Sequence, residues 1–277
     1  MTTITVTGAT GQLGRLAVAA LKAKGTAPVA LARSPEKAAD LGVETRAFDY
    51  TRPDPAALKG VEVLVLISSN DFTDRAGQHK AVIAAAKQAG VGRIVYTSIL
   101  KGAGSPMLLA QDHIATEAAL VESGVPHTVL RNGWYTENFT GALAAAVQHG
   151  AILGAAGDGK VSSASRKDYA EAIAVVATGD GHEGRVYELA GDTAHTGAEL
   201  AAAVSAAAGK PVAYVIMPQA DYAKALEGFG LPAGFAAVLA DSDAQSAHGA
   251  LYDDSRTLSR LIGRPTTPMA ETVAAAL

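Results

Sequence analysis

The stretch TGATGQLG, residues 7–14, comes directly after the short apolar run Ile4-Thr5-Val6 and opens into Leu16, Val18 and Leu21. Its glycines, Gly8, Gly11 and Gly14, are spaced G-x-x-G-x-x-G between a strand-like and a helix-like segment. That placement brings backbone N–H groups to a helix N-terminus, where the amides and the helix dipole together favour a pyrophosphate. A tight β-α turn with no ligand is the competing reading, and the continued alternation of strand and helix beyond Gly14 decides against it.

Short β-branched runs at 4–7, 29–32, 43–48, 61–67, 93–97 and 128–130 alternate with stretches of helical period at 12–24, 74–88 and 112–122. Gly25, Gly90 and Gly124 stand where helix C-caps belong. Strands alternating with helices predict parallel pairing with helices on both faces. The expected class is therefore α/β: a Rossmann doubly wound parallel sheet with a smaller, mostly helical C-terminal substrate domain. The expected division is 1–150 and 151–277, with a soft boundary within 132–165 and some later segments returning to the sheet.

Composition narrows the function. With 49% hydrophobic and 18% charged residues the chain has apolar surface enough for a core. A net charge of −4 without a basic block gives no footprint for nucleic acid. The absence of cysteine removes disulfides and thiolate chemistry and fits a reducing compartment, so the cytoplasm is expected. No secretory or membrane-spanning segment is expected, no metal site is readable, and monomer and homodimer stay equally open.

Within a dinucleotide-binding sheet, an acidic residue about 20 positions beyond the turn holds a ribose 2′-hydroxyl, and an Arg accommodates a 2′-phosphate. Here ALARSPEK ends its strand in Arg33, with Lys37 nearby and no acid at the strand end. NADPH is expected over NADH, a solvated strand-end Arg33 being the plainer alternative. The turn contributes Gly8, Thr10, Gly11, Gln12, Leu13 and Gly14; Ser68 and Ser69 end the fourth strand, and Thr97 stands at the end of the fifth, beside the expected nicotinamide. Asp49, in FDY, reads equally as an adenine neighbour and as a turn residue.

None of the eight tyrosines has Lys four residues on, so the Tyr/Lys pair of short-chain alcohol dehydrogenases is missing. In its place QDHIATEAAL carries His113 and Glu117 one helical turn apart, a spacing that predicts a Glu117 carboxylate keeping His113 protonated. An active-site role and a plain helix-surface or core-edge pair both fit that spacing.

The motifs TGATGQLG, ALARSPEKA, LISS, QHKAVIAAAKQAGV, YTSIL, LRNGWYTEN and GAAGDGK occur in that order. With them the chain resembles the NmrA-like group of atypical short-chain dehydrogenases/reductases, most closely its bacterial NAD(P)H:quinone oxidoreductases, nearly end to end. The resemblance implies NADPH as cofactor, no flavin, and hydride delivery to a small-molecule quinone. It implies Asn138 as a further cofactor contact. Tyr135, with Trp134, is then expected either to line the acceptor site or to close an aromatic cluster. His113 and Tyr135 are the candidate catalytic groups. The same group includes dye reductases and dinucleotide-sensing regulators without turnover, so a non-catalytic redox sensor and a reductase of a dye or activated alkene remain as alternatives.

Overall fold

A computed structural model describes residues 2–277. Its first half runs β1 (Ile4–Val6), α1 (Gln12–Ala23), β2 (Val29–Ala32), β3 (Thr45–Ala47), β4 (Val63–Leu66), α2 (Arg75–Ala89), β5 (Arg93–Ile99), α3 (Ala110–Ser123) and β6 (His127–Asn132). There follow α4 (Glu137–Thr140), α5 (Leu143–His149), β7 (Ala151–Gly154), α6 (Arg166–Thr178), β8 (Val186–Leu189), α7 (Gly197–Ala208) and β9 (Ala213–Ile216). Four helices complete the chain: α8 (Gln219–Gly228), α9 (Ala233–Ser246), α10 (Thr257–Ile262) and α11 (Met269–Ala275).

Seven strands form one sheet in the order β3-β2-β1-β4-β5-β6-β8, and the neighbouring pairs from β3 to β6 are parallel. The chain starts in the middle, winds outward to β3, then crosses back to β4 and winds the other way. This is the doubly wound order, whose ligand crevice lies outside the carboxyl ends of β1 and β4. The expected class holds.

β4 reads Val-Leu-Val-Leu, all buried, because both faces of a parallel sheet are covered by helices. Leu64 and Leu66 pack with Ile94, Tyr96 and Val129 against Val82, Ile83 and Ala86 of α2 and Leu120 of α3. On the other side α1 packs against α6. Each fully buried Leu or Ile contributes roughly 1.5–3 kcal/mol, so this apolar layer fixes which face every strand residue presents. Tyr96 and Ser98, two apart on β5, therefore both turn toward α2 and α3.

The chain divides into two interleaved units, not two consecutive blocks. The first comprises residues up to Gly102, Asp112–Asn132 and Arg166–Tyr187; the second comprises Ala103–Gln111, Gly133–Ser165 and Glu188–Leu277. The second unit contains a small parallel sheet of β7 and β9, paired from Ala151–Ala213 to Gly154–Ile216. In sequence β7 lies within a glycine-rich segment and β9 lies among helices, so neither stands out as a strand. A core of Leu143, Ala146, Leu200, Val204, Val212 and Val273 lies within this unit.

Candidate cofactor site

Thr7 leaves β1 with its hydroxyl donating to Val65 O at 3.1 Å, while Ile67 N–H donates back to Thr7 Oγ1 at 3.0 Å. The ends of β1 and β4 are thus stitched together. Gly8 then adopts φ +59°, a left-handed conformation that a side chain would strain. Gly11 N–H donates to Gly8 O at 2.9 Å, closing the turn into α1. Gly14 lets the helix approach this turn: a Cβ there would collide with Gly8 O and lie 2.8 Å from Ala9 Cα.

The start of α1 has no side-chain cap and no acidic residue in its first turn. Its leading N–H groups and the dipole are left for an anion, which is the fit a pyrophosphate requires. Gly11 and Gln12 are exposed and Thr10 is half-buried, whereas Leu13 and Gly14 are buried and face the core. Leu13 therefore offers only backbone to a ligand.

Arg33 is exposed at the end of β2. The segment after it is tied down by Arg15, which donates to Lys37 O at 2.8 Å and to Asp40 Oδ2 at 2.5 Å. Asp49 serves its own turn, accepting from Thr51 N–H and Thr51 Oγ1, both at 2.9 Å. The Thr51 backbone bond lowers its pKa first, with Arg33 a smaller contributor in the same direction. Tyr50, which no sequence motif singles out, reaches Thr7 Oγ1 at 2.6 Å and Ile67 O at 2.7 Å under the glycine turn. Burial raises its pKa, so it stays a neutral hydroxyl.

Ser68 and Ser69 leave β4 half-buried. Ser68 N–H donates to Thr97 Oγ1 at 2.9 Å, so buried Thr97 holds Ser68 in place. Ser69 is bonded by Arg75, Gln78 and His79 of α2.

The expected pairing of His113 with Glu117 is not formed, which corrects the reading from helical spacing. Glu117 accepts from Arg131 Nη2 at 2.6 Å, from Arg131 Nε at 3.0 Å and from Ser98 Oγ at 2.6 Å. His113, 6% exposed, instead has Nδ1 at 2.8 Å from Tyr96 Oη. Burial, and then the charge of Arg75, push its pKa well below the ordinary histidine value, so it is neutral and not imidazolium.

Tyr135 and Asn138 belong to the second unit. Asn138 is exposed at the first turn of α4 and its N–H donates to Tyr135 O at 2.9 Å. Between them Thr136 is fully buried, its hydroxyl donating to Ser163 Oγ at 3.0 Å, and Ser163 Oγ lies 2.8 Å from His195 Nε2. Among the described residues no group of three or more His, Asp or Glu is arranged to hold a metal, and no helix is long and apolar enough to cross a membrane.

Comparison with known proteins agrees with this geometry. Residues 8–180 match the NAD(P)H-binding family. The chain is 51% identical over 277 residues to quinone oxidoreductase 2 of Escherichia coli, covering 98% of this chain and 97% of that one. The crystal structure of the NADPH-dependent quinone oxidoreductase of E. coli complexed with NADPH superposes with a TM-score of 0.94 at 50% identity, covering 98% and 99% of the two chains. The triphenylmethane reductase of Citrobacter sp. complexed with NADP(H) superposes with a TM-score of 0.92 at 37% identity, covering 99% and 100%. The doubly wound sheet, the glycine turn and these matches along the whole length make the chain a member of the NAD(P)H-binding, NmrA-like family.

Proposed function

We propose that this protein is an NADPH-dependent reductase that delivers hydride directly to a quinone. The observation that carries the reading is the pairing of an uncapped α1 N-terminus behind the glycine turn with an exposed Arg33, in place of an acid, at the end of β2. The 51% identity to the E. coli quinone oxidoreductase, sustained along nearly the whole chain, supports the choice of acceptor.

The residues divide the work. The backbone N–H groups of Gln12 and Leu13, at the uncapped start of α1, hold the pyrophosphate, and Gly8, Gly11 and Gly14 shape the turn that presents them. Arg33 meets the 2′-phosphate with charge-assisted hydrogen bonds, for which guanidinium is well shaped. Ser68, Ser69 and Thr97 border the dinucleotide along the carboxyl ends of β4 and β5. Asn138 is a further cofactor contact and Tyr135 an acceptor-side group, in line with their motif LRNGWYTEN.

NADPH, when bound, supplies the hydride; a quinone takes it with one proton and leaves as hydroquinone. A quinone needs no strong acid to become electrophilic, so the missing Tyr/Lys pair is no obstacle. Holding the two rings together supplies much of the rate. His113 is buried behind Tyr96, its Nδ1 2.8 Å from the Tyr96 hydroxyl. The cysteine-free composition supports a cytoplasmic protein.

The test is product stoichiometry with purified protein, NADPH and a naphthoquinone. One hydroquinone formed per NADPH consumed is expected. Tight NADPH binding without turnover on quinones, triphenylmethane dyes or activated alkenes would replace the reductase by a dinucleotide sensor.

A further inference from the structure

Ser69 is gripped at three atoms by one face of α2. Its N–H donates to His79 Nε2 at 2.8 Å, its carbonyl accepts from Arg75 Nε at 2.7 Å, and its hydroxyl donates to Gln78 Oε1 at 2.8 Å. Arg75, Gln78 and His79 are spaced i, i+3, i+4, which places them side by side on the helix. They are 4%, 7% and 0% exposed. Gln78 Nε2 also donates to Asp71 Oδ2 at 2.6 Å, and Asp71 N–H donates to Ser69 Oγ at 3.1 Å, so the loop closes on itself around the same residue.

The Ser69 N–H bond settles the histidine tautomer: Nε2 accepts, so the proton sits on Nδ1. Nδ1–H points at Thr116 Oγ1, 2.9 Å away, whose own hydroxyl donates to Asp112 O at 2.7 Å. Tyr96 Oη lies 3.4 Å from the same Nδ1 and 2.8 Å from His113 Nδ1. The grip on Ser69 is therefore backed by β5 and α3 through an unbroken polar layer inside the first unit.

Taking an arginine, a glutamine and a histidine out of water is costly, and an apolar layer would fill the space without that penalty. Helix α2 has no need of these bonds to start, because Asp74 already caps it by accepting from Gly77 N–H at 3.1 Å. What the three side chains share is Ser69, which lies beside Ser68 at the carboxyl edge where doubly wound sheets hold their ligands.

We propose that His79, with Arg75 and Gln78, is a positioning residue for the dinucleotide: it holds the Ser68–Ser69 segment in the conformation that contacts NADPH, and so sets cofactor affinity without touching the reacting atoms. This rests on the reading of the protein as an NADPH-binding reductase. His113 belongs to the same supporting layer, acting through Tyr96.

The full-length protein, His79→Leu and His79→Gln are compared by NADPH titration, by KM and kcat, and by urea unfolding. Leu leaves the Ser69 N–H without its acceptor; Gln offers Oε1 at nearly the place of Nε2. For His79→Leu, Kd and KM for NADPH should rise roughly tenfold while kcat changes less than about threefold. His79→Gln should return Kd to within about threefold of the parent. Unchanged NADPH affinity in folded His79→Leu overturns the proposal, as does a loss that Gln fails to restore, or a fall in kcat at constant KM. Should His79→Leu not fold, Gln78→Met removes the acceptor of the Ser69 hydroxyl, and wild-type affinity in that variant is equally contradictory. A parent that binds NADPH but reduces no acceptor refutes the reductase reading while Kd still tests the positioning role. A parent that does not bind NADPH refutes both.

Discussion

Glu117 and Arg131 form a two-point ion pair at 2.6 and 3.0 Å, with the Ser98 hydroxyl donating to the same carboxylate at 2.6 Å. The partners are 16% and 21% exposed, so the pair is largely shielded. Removing one member leaves the other charge nearly buried. Glu117→Ala should lower stability by about 2–3 kcal/mol, read as a shift of the urea midpoint, and kcat of the folded protein should move less than about threefold. A variant of parental stability with turnover abolished would instead make Glu117 part of the chemistry.

That pair also shows what sequence can and cannot supply. His113 and Glu117 are adjacent by helical arithmetic, but the carboxylate is claimed by a residue of a strand. Arg131 and Ser98 are register partners across β5 and β6 and point to the same side as α3. No local pattern announces this; it emerges only once the sheet order is known. The elements around TGATGQLG are legible because turn, strand and helix signals are local and each falls at its expected place in a repeating β-α unit. β7 and β9 are not: Ala151–Gly154 is short and flanked by glycines, and its partner lies about sixty residues on. The glycines that shape the turn before α1 are readable from spacing. Tyr50 and His79 are not, because their importance comes from what the fold brings beneath them.

Arg33→Glu should raise KM for NADPH at least tenfold, the loss of charge-assisted bonds worth about 1.5–3 kcal/mol, and change KM for NADH less than about threefold. Arg33 is exposed, so the urea midpoint should stay within about 0.5 kcal/mol of the parent in free energy. Equal effects on the two cofactors would remove the 2′-phosphate assignment.

Gly14→Ala drives a methyl group into the Gly8 carbonyl, a backbone atom that has no side-chain freedom to escape. The expected cost is about 1–3 kcal/mol or more, together with weakened NADPH binding because the glycine turn must shift. A variant of parental stability and affinity would show that α1 does not approach the turn as closely as described.

Stability should fall in mild acid. Burial first, and Arg75 second, hold the pKa of His79 down to about 3, and the same causes with His79 itself keep His113 well below the ordinary range. Around them stand Arg75 of α2, Tyr96 of β5, and Asp112 and Glu117 of α3. The unfolded chain takes up protons on both histidines as pH drops through about 6.5, whereas the folded chain does not. Each therefore removes up to about 1.4 kcal/mol per pH unit below that point, the loss for His79 continuing toward its folded value of about 3. The urea midpoint measured across mild acid should decline, and His79→Gln should flatten the decline. A parental midpoint independent of pH would contradict the neutral, buried histidines.

Whether an Arg33-bearing dinucleotide site drives hydride transfer to a quinone is tested most directly by following the absorbance of NADPH and NADH side by side. Purified protein and a naphthoquinone are mixed, with the uncatalysed rate subtracted. Quinone-dependent oxidation is expected, with kcat/KM for NADPH at least tenfold above that for NADH, as befits a site holding a 2′-phosphate. No catalysed oxidation of either cofactor, in protein that binds NADPH tightly, would contradict it.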